Sequence, residues 1–107
     1  MATDYKKLTE DLIKARIAGE EAAKGDDGGS ANLDTMTIKL PRAREKKVIE
    51  AVGKAGLNCG KIEWLGVRYF IYPPSCGQGN SRYRAVKAMT QFMRQAGWDV
   101  LTYCQMD

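Results

Sequence analysis

Two groups of cations stand where a short stretch of chain can present them together. Arg42, Arg44, Lys46 and Lys47 open one helix-forming segment, and Arg82, Arg84 and Lys87 open another. Cations at a helix start oppose the macrodipole by about 0.3–1 kcal/mol each when poorly screened, so local stability does not explain them. The chemistry they offer is grip on an anion, whether a nucleic-acid backbone or an acidic protein surface. The plainer reading is a pair of solvated faces neutralised by glutamates such as Glu45 and Glu50. Between the two groups lies the run Cys76-Gly-Gln-Gly-Asn-Ser-Arg82. There the backbone at Gly77 and Gly79, with Asn80 and Ser81 at the helix start, offers a second kind of anion site, or simply a turn.

Other chemistries find less support. The chain has no histidine, so acid–base work falls to carboxylates, and no two of them share an apolar setting that would separate their pKa values. Cys59, Cys76 and Cys104 are widely spaced and form no C-x-x-C pair, which suits a reducing compartment and argues against a tetrahedral zinc site. Gly77-Gln-Gly79 lacks the third glycine and the lysine of the nucleotide-binding fingerprints. No metal and no cofactor are expected.

The segment from Cys76 to Arg82 resembles the Cys-x-x-Gly-x-x-Arg phosphate loop of the protein tyrosine phosphatase family, and its strand, loop, helix context agrees. The resemblance implies a Cys76 thiolate that attacks phosphorus, helix-start N–H groups that cradle the oxygens, and an Arg82 that grips two of them. It departs from the pattern at Ser75, where the family has histidine, and at Tyr83, where it has serine or threonine. Pro73 and Pro74 interrupt the approach strand, and no aspartate is placed as general acid. A noncatalytic protein is the leading expectation, with this enzyme as the minority reading.

The elements that must position these residues follow from periodicity. Thr3 to Lys24 is rich in helix formers, with Thr3 or Asp4 as cap. Tyr5, Leu8, Leu12, Ala15 and Ala22 share one stripe, while Ile13 and Ile17 point nearly the opposite way. Such a helix either wedges against its own body or serves a partner, including a second copy in a homodimer. Residues 1–24 are thus expected as a helical extension, 25–32 (GDDGGSAN) as an acidic glycine-rich linker or loop, and 33–107 as the body. Leu33 to Leu40 alternates as a half-buried strand, and Pro41 fits the first turn of a helix to Ala55 that Gly56 closes. Strands around Ile62 and over Val67 to Tyr72 come next, then a helix from Asn80 or Ser81 to Ala96, and a strand from Trp98 to Met106.

That order, strand-helix-strand-strand-helix-strand, predicts an α+β, ferredoxin-like βαββαβ body. Its four-stranded antiparallel sheet carries two helices on one face, with the first and third strands central. Leu65 to Tyr72 partly resembles the RNA-reading strand of the RRM family. Gly66, Tyr69 and Tyr72 fit and Phe70 is an apolar stand-in, whereas Leu65, Val67 and Arg68 depart. The resemblance implies nucleic acid as a partner, with Tyr69 as the stacking residue; Arg68 beside it is a further candidate contact.

Size and charge complete the reading. A 107-residue chain that is 44% hydrophobic can bury a core without staples. Residues 1–32 hold five Lys/Arg against seven Asp/Glu and residues 33–107 twelve against six, so the body is the basic part. Without a membrane-length apolar run or an apolar leader, a cytoplasmic location is expected. In size, helical extension and basic body the chain looks like accessory proteins of phages and mobile elements, among them anti-CRISPR inhibitors. That likeness implies a noncatalytic binder of a protein or nucleoprotein target such as a Cas nuclease; an RRM-like module is the alternative.

Overall fold

Of the two expected caps, Thr3 and Asp4, it is Asp4 that begins the first helix: its side chain accepts a hydrogen bond from the Lys7 N–H at 3.0 Å. A computed structural model describes residues 3–24, 35–63, 66–73 and 80–103. The elements are α1 (Tyr5–Ala23), β1 (Thr35–Ile38), α2 (Glu45–Lys54), β2 (Cys59–Glu63), β3 (Val67–Ile71), α3 (Asn80–Gln95) and β4 (Val100–Tyr103). The strands lie in the order β2-β3-β1-β4 with every neighbouring pair antiparallel. At the level of class, the expected α+β body with a four-stranded antiparallel sheet is what the chain forms. The expected linker, residues 25–32, lies outside the described residues, as do Cys76, Gly77 and Gly79. No helix among the described residues is long and apolar enough to cross a membrane.

Two expectations about boundaries are corrected. The helix expected from Pro41 begins at Glu45, because Arg42 adopts a φ of 64° that no right-handed helix accommodates. The first strand ends at Ile38, before the expected Leu40, and is buried on both faces, not half-buried. Met36 and Ile38 join the core, while Thr37 is fully buried on the other side, where its hydroxyl accepts from Arg68 Nε at 2.8 Å.

Two helix ends are set by glycine. Gly56 and Gly97 have φ of 82° and 101°, and the bonds from Leu57 N to Val52 O and from Trp98 N to Met93 O close both helices in the Schellman manner.

The core is one cluster. Met36, Ile38, Tyr69, Ile71 and Val100 from the sheet meet Val48 and Val52 of α2, Val86, Met89 and Met93 of α3, and Leu8, Leu12 and Ala15 of α1. The extension therefore shares the body's core. It packs mostly along α3 and less along α2, and Ile17 stays 54% exposed while Ile13 packs against the core edge. Lys7 Nζ donates to Ala96 O at 3.1 Å and Arg84 Nε to Ala22 O at 2.9 Å, so α1 runs antiparallel to α3. Tyr5 Oη accepts from Arg44 N at 2.9 Å and Arg16 Nε donates to Ala55 O at 2.8 Å, so α1 runs parallel to α2.

The helix pair α1 and α3 meets where there is no side chain. A Cβ on Gly19 would stand 2.8 Å from Met89 Cγ and 3.3 Å from Ala85 O. Gly19→Ala should therefore destabilise the fold by about 1–3 kcal/mol through overpacking. Gly53→Ala, within α2 and with nothing inside 4 Å, should stabilise it by about 0.5–1 kcal/mol. Urea denaturation of the two variants checks both signs.

Asp11 ties α1 to the end of α3. Its carboxylate accepts from Lys7 Nζ at 2.7 Å and Trp98 Nε1 at 2.9 Å. Burial pushes the carboxyl up, but the hydrogen bonds from Lys7 and Trp98, with the charges of Lys7 and Lys14, outweigh it and hold the carboxyl below its ordinary pKa. A depressed pKa means stability that is present above the unfolded value and lost as pH falls through the folded one. Asp11→Asn should be less stable than the parent at neutral pH, and the difference should close as the parent is acidified below the usual aspartate range. Thermal melts of both proteins across that window measure it.

Candidate anion-binding surface

The cations at the start of α2 surround the first turn of α1. Arg42, Arg44 and Lys47 line a hollow of about 360 Å³ together with Tyr5. All three cations are exposed, as is Lys46. The glutamates expected to neutralise them are engaged elsewhere: Glu45 pairs with Lys61 at 3.9 Å and Glu50 with Lys54 at 3.3 Å. Among the described residues, Arg42, Arg44, Lys46 and Lys47 have no carboxylate within 4 Å. Lys47 Nζ sits 5.8 Å from the centroid of the Tyr5 ring, a cation–π arrangement that helps to hold it in place. Tyr5 is the member that sequence reading missed, since its spacing marked it only as part of a packing stripe.

Arg42 adds a second feature. It is the one non-glycine residue at positive φ among those described. Left-handed backbone costs an L-residue on the order of 1 kcal/mol, and such strain concentrates where a side chain must be aimed.

The second cation group is used differently. Arg84 donates to Ala22 O at 2.9 Å and Ala23 O at 3.3 Å, closing the end of α1. Arg82 reaches Thr35 Oγ1 at 3.3 Å. Lys87 stays exposed, 5.9 Å from the Tyr83 ring centroid. Asn80 and Ser81 belong to the first turn of α3. The two groups lie toward opposite ends of α1, yet two of the second group's three cations are already bonded within the fold.

The strand residues need a correction. Tyr69, expected to stack on bases, is 3% exposed and lies in the core, where burial pushes its phenol pKa up. The neighbouring register position reaches the other face: Phe70 lies opposite Thr37 and Gly60. Its ring is 5.2 Å from that of Tyr103 and 6.3 Å from that of Tyr72. Arg68, expected at the surface, is also 3% exposed. It donates to Thr37 Oγ1 and Asp99 O and lies 3.5 Å from the Asp99 carboxylate, so its charge serves the fold.

Among the described residues no three His, Cys, Asp or Glu side chains gather in a metal-binding group. Burial first, and Glu45 second, raise the Cys59 thiol above its ordinary pKa, which keeps it protonated and weakly nucleophilic at neutral pH.

Replacing Arg42 by glycine should relieve the left-handed strain and raise unfolding free energy by up to about 1 kcal/mol, while removing a cation from the hollow. Chemical denaturation of Arg42→Gly tests this; a loss of stability would show that the arginine side chain holds the turn. Comparison with known proteins finds no family model that matches the chain, no similar curated protein and no matching solved structure.

Proposed function

We propose that this chain is a noncatalytic binding protein whose target presents an anionic surface. The target class is a protein or nucleoprotein, of the kind that phage and mobile-element inhibitors such as anti-CRISPR proteins engage; a Cas nuclease with its guide RNA is one example. The observation that carries the reading is the hollow of Tyr5, Arg42, Arg44 and Lys47, in which three exposed cations converge with no carboxylate of the described residues within 4 Å. Charge left unneutralised costs self-repulsion, and it is useful where a partner supplies the opposite sign.

The strand order β2-β3-β1-β4 supports reading the body as a ferredoxin-like βαββαβ unit, with α2 and α3 on one face of the sheet and α1 laid against them. On that reading the opposite face carries Phe70, Tyr72 and Tyr103. These rings favour a second reading, an RRM-like module that stacks bases on the sheet through residues other than Tyr69.

Affinity capture from a bacterial lysate, with and without nuclease treatment, separates the two. The wild type and Phe70→Ala should retain a target protein after nuclease treatment, and a folded Arg44→Glu/Lys47→Glu variant should lose at least about tenfold of it. Capture of RNA alone, lost in Phe70→Ala and kept in the charge-reversed variant, would establish the sheet reading. An empty wild-type capture would count against both.

A further inference from the structure

We infer that the hollow at the start of α1 takes a compact acidic cluster on a protein, a pair of adjacent Asp or Glu side chains flanked by neutral or basic residues, in preference to a nucleic-acid backbone. The inference rests on the anion-binding reading above and narrows it. It comes from what borders the hollow. On one side, sharing Tyr5 and Lys47, a groove of about 420 Å³ between α1 and α2 carries Lys6 and Lys54, but also Glu10 and Glu50. On the other side, sharing Arg42, a depression sets Lys39 against Asp4 and Asp99. Positive charge is thus concentrated in the middle and balanced by carboxylates at both margins.

A nucleic acid does not match that pattern. Duplex DNA carries one negative charge per about 1.7 Å of axis, so a backbone seated in the hollow continues its charge into both margins. There it meets Glu10 and Glu50, or Asp4 and Asp99, whose repulsion acts over a screening length of about 8 Å at physiological salt. A short acidic cluster ends before the margins, and neutral or basic neighbours face the carboxylates favourably.

The donors suit a carboxylate pair. Arginine presents a planar fork that can bind a carboxylate through two parallel hydrogen bonds, and the hollow holds two arginines and a lysine. Tyr5 Oη accepts from the Arg44 N–H, which leaves the phenol's own proton to donate. Tyr5 and Lys47, shared with the α1/α2 groove, would pass the partner's flanking residues toward Glu10 and Glu50.

The test is a pair of titrations of isotope-labelled full-length protein at physiological ionic strength. One ligand is a short peptide with two adjacent glutamates flanked by serine and lysine, the other an oligouridylate of similar length. The peptide should shift the backbone amides of Arg42, Arg44 and Lys47 and bind at least about tenfold more tightly than the oligouridylate. Arg44→Glu/Lys47→Glu should abolish those shifts. Glu10→Gln/Glu50→Gln should narrow the preference by tightening oligouridylate about two- to fivefold, the effect expected of removing surface like-charge contacts. Tighter oligouridylate binding at the same amides would overturn the partner class while leaving an anion-binding hollow in place. If neither ligand moves those amides, the inference and the anion-binding reading both fall.

Discussion

The seat of α1 on α3 and α2 is the constraint from which the other features follow. Every helix ends with carbonyls that lack intrahelical partners, and three cations answer them. Lys7 reaches Ala96 O beyond α3, Arg16 reaches Ala55 O beyond α2, and Arg84 reaches Ala22 O and Ala23 O at the end of α1. Each bond joins α1 to another helix and places positive charge at the negative end of a dipole. Their net worth is about 1 kcal/mol apiece. Leu8 and Leu12, both fully buried, contribute more, about 1.5–3 kcal/mol each. The polar bonds therefore set the position of a helix that apolar burial holds.

This use of charge explains why the two cation groups differ. Arg82 and Arg84 begin α3, beside the end of α1 and the start of β1, so their guanidinium groups bond to the fold. Arg42, Arg44 and Lys47 begin α2, beside the start of α1, where a helix offers N–H groups and not carbonyls. Among the described residues, none of these three side chains bonds to a helix carbonyl. The same helix that consumes one group leaves the other available, and the direction in which α1 runs decides which.

Much of this was legible in the sequence. A cap at Thr3 or Asp4, the stop at Gly56, the class of the fold and the two cation groups all follow from local chemistry and periodicity, which act over a few residues. Legibility ended where the outcome depended on distant neighbours. Val67 to Tyr72 is apolar or aromatic at nearly every position, so alternation alone could not tell whether Tyr69 or Phe70 faced the core. Arg68 reads as a surface residue until Thr37 and the Asp99 carbonyl are brought beside it. Pro41 is a good first residue of a helix, but the left-handed turn at Arg42 delays the start to Glu45. Tyr5 joins the hollow only because α1 runs parallel to α2, and no spacing within α1 reports that.

Because Tyr5 is both a first-turn residue of α1 and a wall of the hollow, the hollow keeps its shape only while that helix is docked. Undocking the first turn would separate the ring from Lys47 and release the Arg44 amide. Occupancy and local folding are thus linked thermodynamically: whatever fills the hollow adds its binding free energy to the docked state and slows amide exchange in the first turn. On the proposed reading, α1 is a latch that a ligand in the hollow would close.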